Sequence, residues 1–106
     1  MQDINELTGL IQQWARDRNL RIAEPRNQLL KLAEEFGELC QAEAKGKYIT
    51  HIEDAIGDMY VVMTIYCLQH NIQIDNCIKL AYDEIKNRRG RMVNGVFIKE
   101  EDLKNE

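Results

Sequence analysis

A chain of 106 residues with 44% hydrophobic residues can form one core, and we expect a single domain over residues 1–106. The net charge of −4 argues against general nucleic-acid binding, so no stable nucleic-acid complex is expected. The three cysteines lack the close spacing of metal ligands. We therefore predict that Cys40, Cys67 and Cys77 are reduced core thiols.

The longest apolar run, Met59 to Leu68, is too short to cross a bilayer, because a transmembrane helix needs about 20 apolar residues. The N-terminus, Met1-Gln-Asp-Ile, lacks the basic and hydrophobic regions of a signal peptide. The sequence therefore predicts a cytoplasmic protein with no membrane partner.

The first part of the chain predicts two helices. Asp3 with Glu6 matches a capping box that opens a helix ending near Arg18. Apolar residues recur along this helix at helical spacing, at Leu7, Leu10, Ile11 and Trp14. Pro25 suits the first turn of a second helix, which we expect to stop around Gly46.

The second part of the chain predicts two further helices and a turn. Thr50 and Glu53 match another capping box, so the third helix is expected to run from there to about His70. Asp75 can cap a fourth helix ending near Arg89-Gly90. Asn94-Gly95 then lies between short apolar runs, which predicts a short C-terminal β-hairpin or arm. Short connections between four helices indicate an all-α four-helix bundle.

The second helix carries an acidic stripe. At about 100° per residue, one quadrant holds the charged side chains of Lys31, Glu34, Glu35 and Glu38. The opposite side is expected to face the core with Leu29, Leu32, Phe36, Leu39 and Cys40. Like charges three and four residues apart destabilise a helix by about 0.2–0.5 kcal/mol per pair. Such a stripe is either an exposed acidic face or a ligand site.

The acidic residues of the third helix favour the second interpretation, a ligand site. Asp54 and Asp58 lie one turn apart beside Val61, on a helix that is apolar nearly all round from Met59 to Leu68. A carboxylate in such an interior is rare unless it is paired or binds metal. Oxygen ligands of this kind suit Mg²⁺. Glu53 points about 100° away from Asp54 and is assigned to the cap.

These features, in this order, resemble the MazG-type all-α nucleoside triphosphate pyrophosphohydrolases. The matching pieces are Trp14, Gln28-Leu-Leu-Lys-Leu-Ala-Glu-Glu-Phe-Gly-Glu-Leu39, Ile56-Gly-Asp58 and the basic segment from Tyr82 to Arg91. One position departs from the family pattern, because Ala55 stands where a glutamate usually lies three residues before the aspartate. We expect Asp54 to replace that ligand from the face it shares with Asp58.

The resemblance implies a MazG-like bundle that hydrolyses a nucleoside triphosphate to the monophosphate and pyrophosphate, with water attacking the α-phosphorus. It implies Mg²⁺, for which Mn²⁺ can substitute, and a part in nucleotide-pool housekeeping. The expected metal ligands are Glu35, Glu38, Asp54 and Asp58. Glu34 and Glu35 are the candidate catalytic residues, with Glu34 as the group that holds or deprotonates the water.

Four residues are candidates for binding the substrate. Lys31 either pairs with the glutamates one turn later or contacts a phosphate. Asn87 and Arg88 fall where the resemblance expects contacts to distal phosphates, although cations are also favoured near a helix C-terminus without any ligand. Trp14 is either a core residue or an aromatic ring that stacks on the base.

The apolar run from Met59 to Leu68 also predicts an oligomer. Its surface is too wide for the few helices of one chain to cover, so partner subunits should bury part of it in a homodimer or homotetramer. The alternative to an enzyme is a catalytically weak nucleotide-binding or helical assembly module.

Overall fold

A computed structural model describes residues 2–103 of the chain. Its elements in chain order are α1 (Ile4–Asp17), a 3-10 turn (Leu20–Ile22), α2 (Pro25–Ala44), α3 (Ile49–Gln69), α4 (Ile74–Ile85), β1 (Gly90–Val93), β2 (Val96–Lys99) and α5 (Glu100–Leu103). The described part is mostly helical, with four long helices and a two-stranded antiparallel sheet. This confirms the helical class and the C-terminal hairpin, whereas the MazG-like bundle and the oligomer stay predictions.

The chain forms two compact units, the first ending at Ile74 and the second beginning at Asp75. The single domain over residues 1–106 stays a prediction. None of the helices between residues 2 and 103 combines the length and the apolar character that a membrane span requires.

In the first unit, α1 begins and ends as expected. The Asp3 side chain accepts a hydrogen bond from the Glu6 amide at 2.9 Å, which satisfies one of the free donors at the helix start. The helix ends at Asp17, with Arg18 as its C-cap. Ala15 is fully buried against Ile65 and Leu68, so α1 packs along α3.

In α2, the side that packs against α3 differs from the expected one. Pro25 occupies the first turn and Gly46 follows the helix with φ +61°, as predicted. The less exposed positions recur every three or four residues, at Leu32, Glu35, Leu39 and Ala42. Phe36, which was assigned to the core, is 53% exposed. That assignment was wrong because α2 packs along α3, and the Phe36 side remains open within the first unit.

The start of α3 also corrects an expectation. The helix begins at Ile49 with Tyr48 as its N-cap, and no side chain caps it. The predicted capping box of Thr50 and Glu53 is therefore wrong, since the helix starts before Thr50. The predicted burial on more than one side is confirmed by the buried residues of this helix, which are Ala55, Val62, Thr64, Ile65, Cys67 and Leu68. Both α1 and α2 pack against it.

The three cysteines differ in their surroundings. All three are reduced thiols, as predicted. Cys67 is buried and Cys77 is half-buried, but Cys40 is exposed. The core assignment of Cys40 was wrong for the same reason as that of Phe36, which lies one turn before it on the open side of α2.

Helix α4 starts at Ile74, the last residue of the first unit, so Asp75 lies in its first turn and is not the predicted N-cap. The helix ends at Ile85, earlier than expected. Asn94 and Gly95 form the hairpin turn with φ values of 52° and 82°, and both lie in the left-handed region that two-residue turns of this kind require. The predicted hairpin is confirmed by the antiparallel pairing of β1 with β2.

Candidate metal and nucleotide site

Glu35 is the one charged side chain that is buried among residues 2–103, with 9% of its surface exposed. It lies on the side of α2 that packs against α3. Its Oε2 atom is inaccessible to solvent and has no hydrogen-bond partner. Burying a polar atom without a hydrogen-bond partner lowers the stability of a fold. The stability of the fold therefore does not explain why a glutamate occupies position 35.

The environment of Glu35 is strongly negative. Burial raises the pKa of its carboxyl group, and the charges of Glu38 and then Asp58 raise it further. A hydrogen bond with Glu38 acts in the same direction, whereas the positive charge of Lys31 lowers the pKa. The charges of Glu38 on α2 and of Asp58 on α3 thus both act on the Glu35 carboxyl group, and the charge of Lys31 opposes them.

The donor set of this acidic cluster, meaning Glu35, Glu38 and Asp58, suits a hard divalent cation. Carboxylate oxygens are the ligands that Mg²⁺ prefers, and the unpartnered Oε2 of Glu35 offers one that is already desolvated. Within residues 2–103, no three His, Cys, Asp or Glu side chains are arranged closely enough to surround a metal ion. The fit of Mg²⁺ to the cluster therefore rests on the chemistry of the ligands and on the orphaned oxygen.

A polar cleft of about 300 Å³ lies beside the acidic cluster at the end of the α2–α3 hairpin. It is lined by Glu38, Gln41, Ala42, Lys47, His51, Asp54 and Ala55. Asp54 is exposed in this cleft, whereas Ala55 is 5% exposed. The structure therefore brings Asp54 beside Glu38, while the position that usually carries a glutamate in the resembling family holds a buried methyl group.

A separate apolar groove of about 340 Å³ lies between α1 and α3. Its lining is Leu7, Leu10, Ile11, Trp14 and Val61. Val61 follows Asp58 by three residues on α3, so the groove begins one helical turn from the acidic cluster. Along α3, Asp58 thus lies one turn after Asp54, which lines the polar cleft, and one turn before Val61, which lines the apolar groove.

Trp14 is 46% exposed, so it lines the groove and is not a core residue. The guanidinium of Arg18 lies 4.1 Å from the centre of the Trp14 ring, a distance typical of a cation–π contact. One face of the indole is covered in this way.

The remaining predicted site residues are Glu34, Asn87 and Arg88, and none of them lines the polar cleft or the apolar groove. Glu34 is exposed on α2, next to Glu35, and forms no hydrogen bond or ion pair within the described range. Asn87 and Arg88 lie in the second unit, in a separate cavity of about 390 Å³. There Arg88 donates a hydrogen bond to Glu84 at 3.3 Å, an ion pair between residues four apart.

Sequence reasoning missed part of this site. Lys47 and His51 were overlooked because they lie on a loop and at a helix start, yet both line the polar cleft. A signal existed for His51, which precedes Asp54 by one helical turn and therefore shares its side of α3. Leu7 and Leu10 were predicted only as apolar positions of the first helix, and they line the apolar groove.

Comparison with known proteins adds one relative. An uncharacterized 18.2 kDa protein from the rep–hol intergenic region of Haemophilus phage HP1 (strain HP1c1) is 49% identical over 73 residues. The matched segment covers 68% of this chain and 44% of the phage protein, so the chain spans less than half the length of that relative. No family model and no solved structure matches the chain.

Proposed function

We propose that this protein is a Mg²⁺-dependent nucleoside triphosphate pyrophosphohydrolase of the MazG type, with Mn²⁺ as a substitute metal and nucleotide-pool housekeeping in the cytoplasm as its role. The observation that carries the proposal is the burial of Glu35 with an unpartnered Oε2 beside Glu38 and Asp58. Concentrated negative charge without a matching cation is costly for a fold. A site that binds a divalent cation explains it.

The proposed metal ligands are Glu35, Glu38 and Asp58, joined by Asp54 from the polar cleft. When bound, Mg²⁺ neutralises the repulsion between a triphosphate and the carboxylates and lowers the pKa of the attacking water. Lys31 adds a positive charge near Glu35. The carboxylates hold the reacting end of the substrate at the α2–α3 contact.

The proposed reaction is a displacement at the α-phosphorus. The water oxygen forms a bond to the α-phosphorus, and the bond from this phosphorus to the bridging oxygen breaks. Pyrophosphate leaves with the electron pair, and the proton of the water passes to a carboxylate, for which Glu34 is the candidate because it adjoins the ligands and is free of other partners.

The apolar groove is the proposed site of the nucleobase. A base in this groove would contact Leu7, Leu10 and Val61 and could stack on Trp14. Since Val61 lies one turn from Asp58, the sugar and α-phosphate would then fall near the acidic cluster. Asn87 and Arg88 stay candidates for phosphate contacts on the strength of the family resemblance.

We also propose that the protein acts as a homodimer or homotetramer. Ile49, Ile56 and Met63 recur every seven residues along α3, and all three are exposed. Residues seven apart lie on nearly the same side of a helix, so they form one apolar stripe. A second copy of the chain would bury this stripe.

A nucleotide-binding module without turnover is the second candidate function. Ala55 favours it, because the buried methyl group cannot supply the carboxylate that the resembling enzymes usually have. A site with fewer ligands can retain a nucleotide with Mg²⁺ while losing the geometry for hydrolysis.

Pyrophosphate release from common and modified ribo- and deoxyribonucleoside triphosphates tests the two proposals. We expect Mg²⁺-dependent release by the wild type, none by Glu35→Gln, and normal release by Glu43→Gln, which changes an exposed glutamate of the same helix. Calorimetry with the same nucleotides separates the alternatives: binding without release supports the module. Absence of both binding and release in folded protein excludes both functions.

A further inference from the structure

We propose that the polar cleft binds the two distal phosphates of the triphosphate, and the pyrophosphate that they become, through Lys47 and His51. The proposal rests on the proposed function, which places the α-phosphate at the acidic cluster. It also fixes the direction of the substrate, with the base in the apolar groove and the phosphate tail toward the α2–α3 loop.

The cleft combines two cationic or hydrogen-bonding side chains with two carboxylates. Lys47 lies in the loop before α3, and His51 lies in the first turn of that helix. Glu38 and Asp54 line the same cleft. A phosphate tail leaving the carboxylate ligands in this direction therefore meets Lys47 and His51 next.

Lys47 and His51 are not engaged by the protein itself. In the part of the chain that the structure describes, their side chains form no hydrogen bond or ion pair. Other cations of this chain, such as Lys79 and Lys86, pair with the nearby Asp83. Lys47 and His51 thus remain available to an anion although Glu38 and Asp54 line the same cleft.

The cavities lined by Asp54 and by Val61, each one turn from Asp58 along α3, have opposite character, which is what a nucleotide requires. The groove on the Val61 side is lined by apolar side chains, whereas the cleft on the Asp54 side is lined mainly by charged and polar ones. Lysine binds phosphate as a compact point charge, and histidine adds a ring N–H donor. The cleft of about 300 Å³ exceeds by far the volume of about 30 Å³ that one water molecule occupies. It has room for the phosphate tail.

Lys47→Ala tests the proposal, with Lys45→Ala as the matched control. Lys45 is an exposed lysine two residues earlier, at the C-cap of α2, and does not line the cleft. For Lys47→Ala we expect the KM for the triphosphate to rise about tenfold with kcat changed less than about threefold, the effect of a lost charge-assisted hydrogen bond. Inhibition by pyrophosphate should weaken by a similar factor, whereas inhibition by the monophosphate should stay unchanged.

His51→Ala provides a second, independent variant and should weaken pyrophosphate inhibition in the same direction. Suppose that the wild type releases pyrophosphate but Lys47→Ala has the wild-type KM or is inhibited by pyrophosphate as strongly as the wild type. The cleft assignment is then overturned, and the enzyme function stands. If the wild type releases none, calorimetry with Mg²⁺ and pyrophosphate decides the assignment. The cleft assignment is upheld if the wild type and Lys45→Ala bind pyrophosphate with Mg²⁺ and Lys47→Ala does not. Any other pattern overturns the assignment.

Discussion

Glu35 on α2 lies near Asp58 on α3: burial raises the pKa of Glu35, and the charge of Glu38 and then that of Asp58 raise it further. This relationship joins two segments of the chain that lie more than twenty residues apart. A change at Asp58 should therefore alter the charge that acts on Glu35, and with it the stability of the fold and the proposed activity.

We predict that Asp58→Asn abolishes hydrolysis while the protein stays folded. The change removes a ligand charge at nearly constant volume, and we expect turnover to fall at least about a hundredfold, or about 2.7 kcal/mol of transition-state stabilisation. Without Mg²⁺ and at neutral pH, the variant should unfold at a higher temperature because a repulsion has been removed. Circular dichroism and pyrophosphate release measure the two effects; full activity in a folded variant would contradict the assignment of Asp58.

We predict that Glu35 makes the fold less stable as the pH rises in the absence of Mg²⁺. Its pKa is higher in the folded than in the unfolded chain, so the folded state retains a proton that the unfolded state has released. This contribution to stability is present below the unfolded value of about 4.3 and is lost as the pH rises through the folded pKa.

Glu35→Gln should remove this dependence, which denaturant unfolding at a series of pH values can measure. Asp83 has the opposite effect, because its hydrogen bonds from Lys79 and then Lys86 lower its pKa. The stability that Asp83 contributes is lost as the pH falls. This contribution is the same in the wild type and in Glu35→Gln, so it cancels in the difference between their free energies of unfolding. Parallel stability curves for the two proteins would contradict the prediction.

We predict that Asp54→Ala loses most of the activity, whereas Glu53→Ala keeps it. Asp54 lines the cleft with Glu38, and Glu53 points about 100° away along the same helix. Because Glu53 does not cap α3, its removal should change the free energy of unfolding by less than about 0.5 kcal/mol. Steady-state kinetics on both folded variants provides the measurement, and equal losses of activity would show that Asp54 has no special role.

We predict that Ala55→Glu raises turnover by about tenfold, or about 1.4 kcal/mol, by adding a carboxylate that faces Glu38 across the cleft. The same change should lower the melting temperature in the absence of Mg²⁺, since Ala55 is buried and lines a cleft with the carboxylates of Glu38 and Asp54. Ala55→Gln is the matched control, because it adds similar bulk without charge. If Ala55→Gln raises turnover as much as Ala55→Glu, the added carboxylate does not act as a metal ligand.

We predict that the wild type is an oligomer at micromolar concentration and that Ile56→Glu shifts it toward the monomer of 12.4 kDa. The new charge would lie in the middle of the exposed stripe formed by Ile49, Ile56 and Met63. Light scattering gives the mass, and Glu53→Ala on the same helix controls for changes outside the stripe. A wild type that is monomeric and active would refute the proposed assembly.

The sequence alone was sufficient for features that depend on local interactions. Asp3 and Pro25 marked helix starts because capping and a fixed φ act within a single turn. Asn94-Gly95 marked the hairpin because two adjacent residues must adopt positive φ. Helical spacing also predicted that Glu35 and Glu38 share one side of α2 and that Asp54 and Asp58 share one side of α3, but their role as metal ligands stays a prediction.

Only the tertiary structure decided which side of each helix is covered. Periodicity ranked Phe36 above Glu35 as a core residue, but the packing of α2 along α3 buries Glu35 and leaves Phe36 exposed. Likewise, Lys47 enters the cleft because the α2–α3 hairpin brings its loop back beside Glu38. The physical reason is that helical spacing fixes the relative directions of side chains within one helix, whereas burial and electric field depend on the neighbouring helices that the fold supplies.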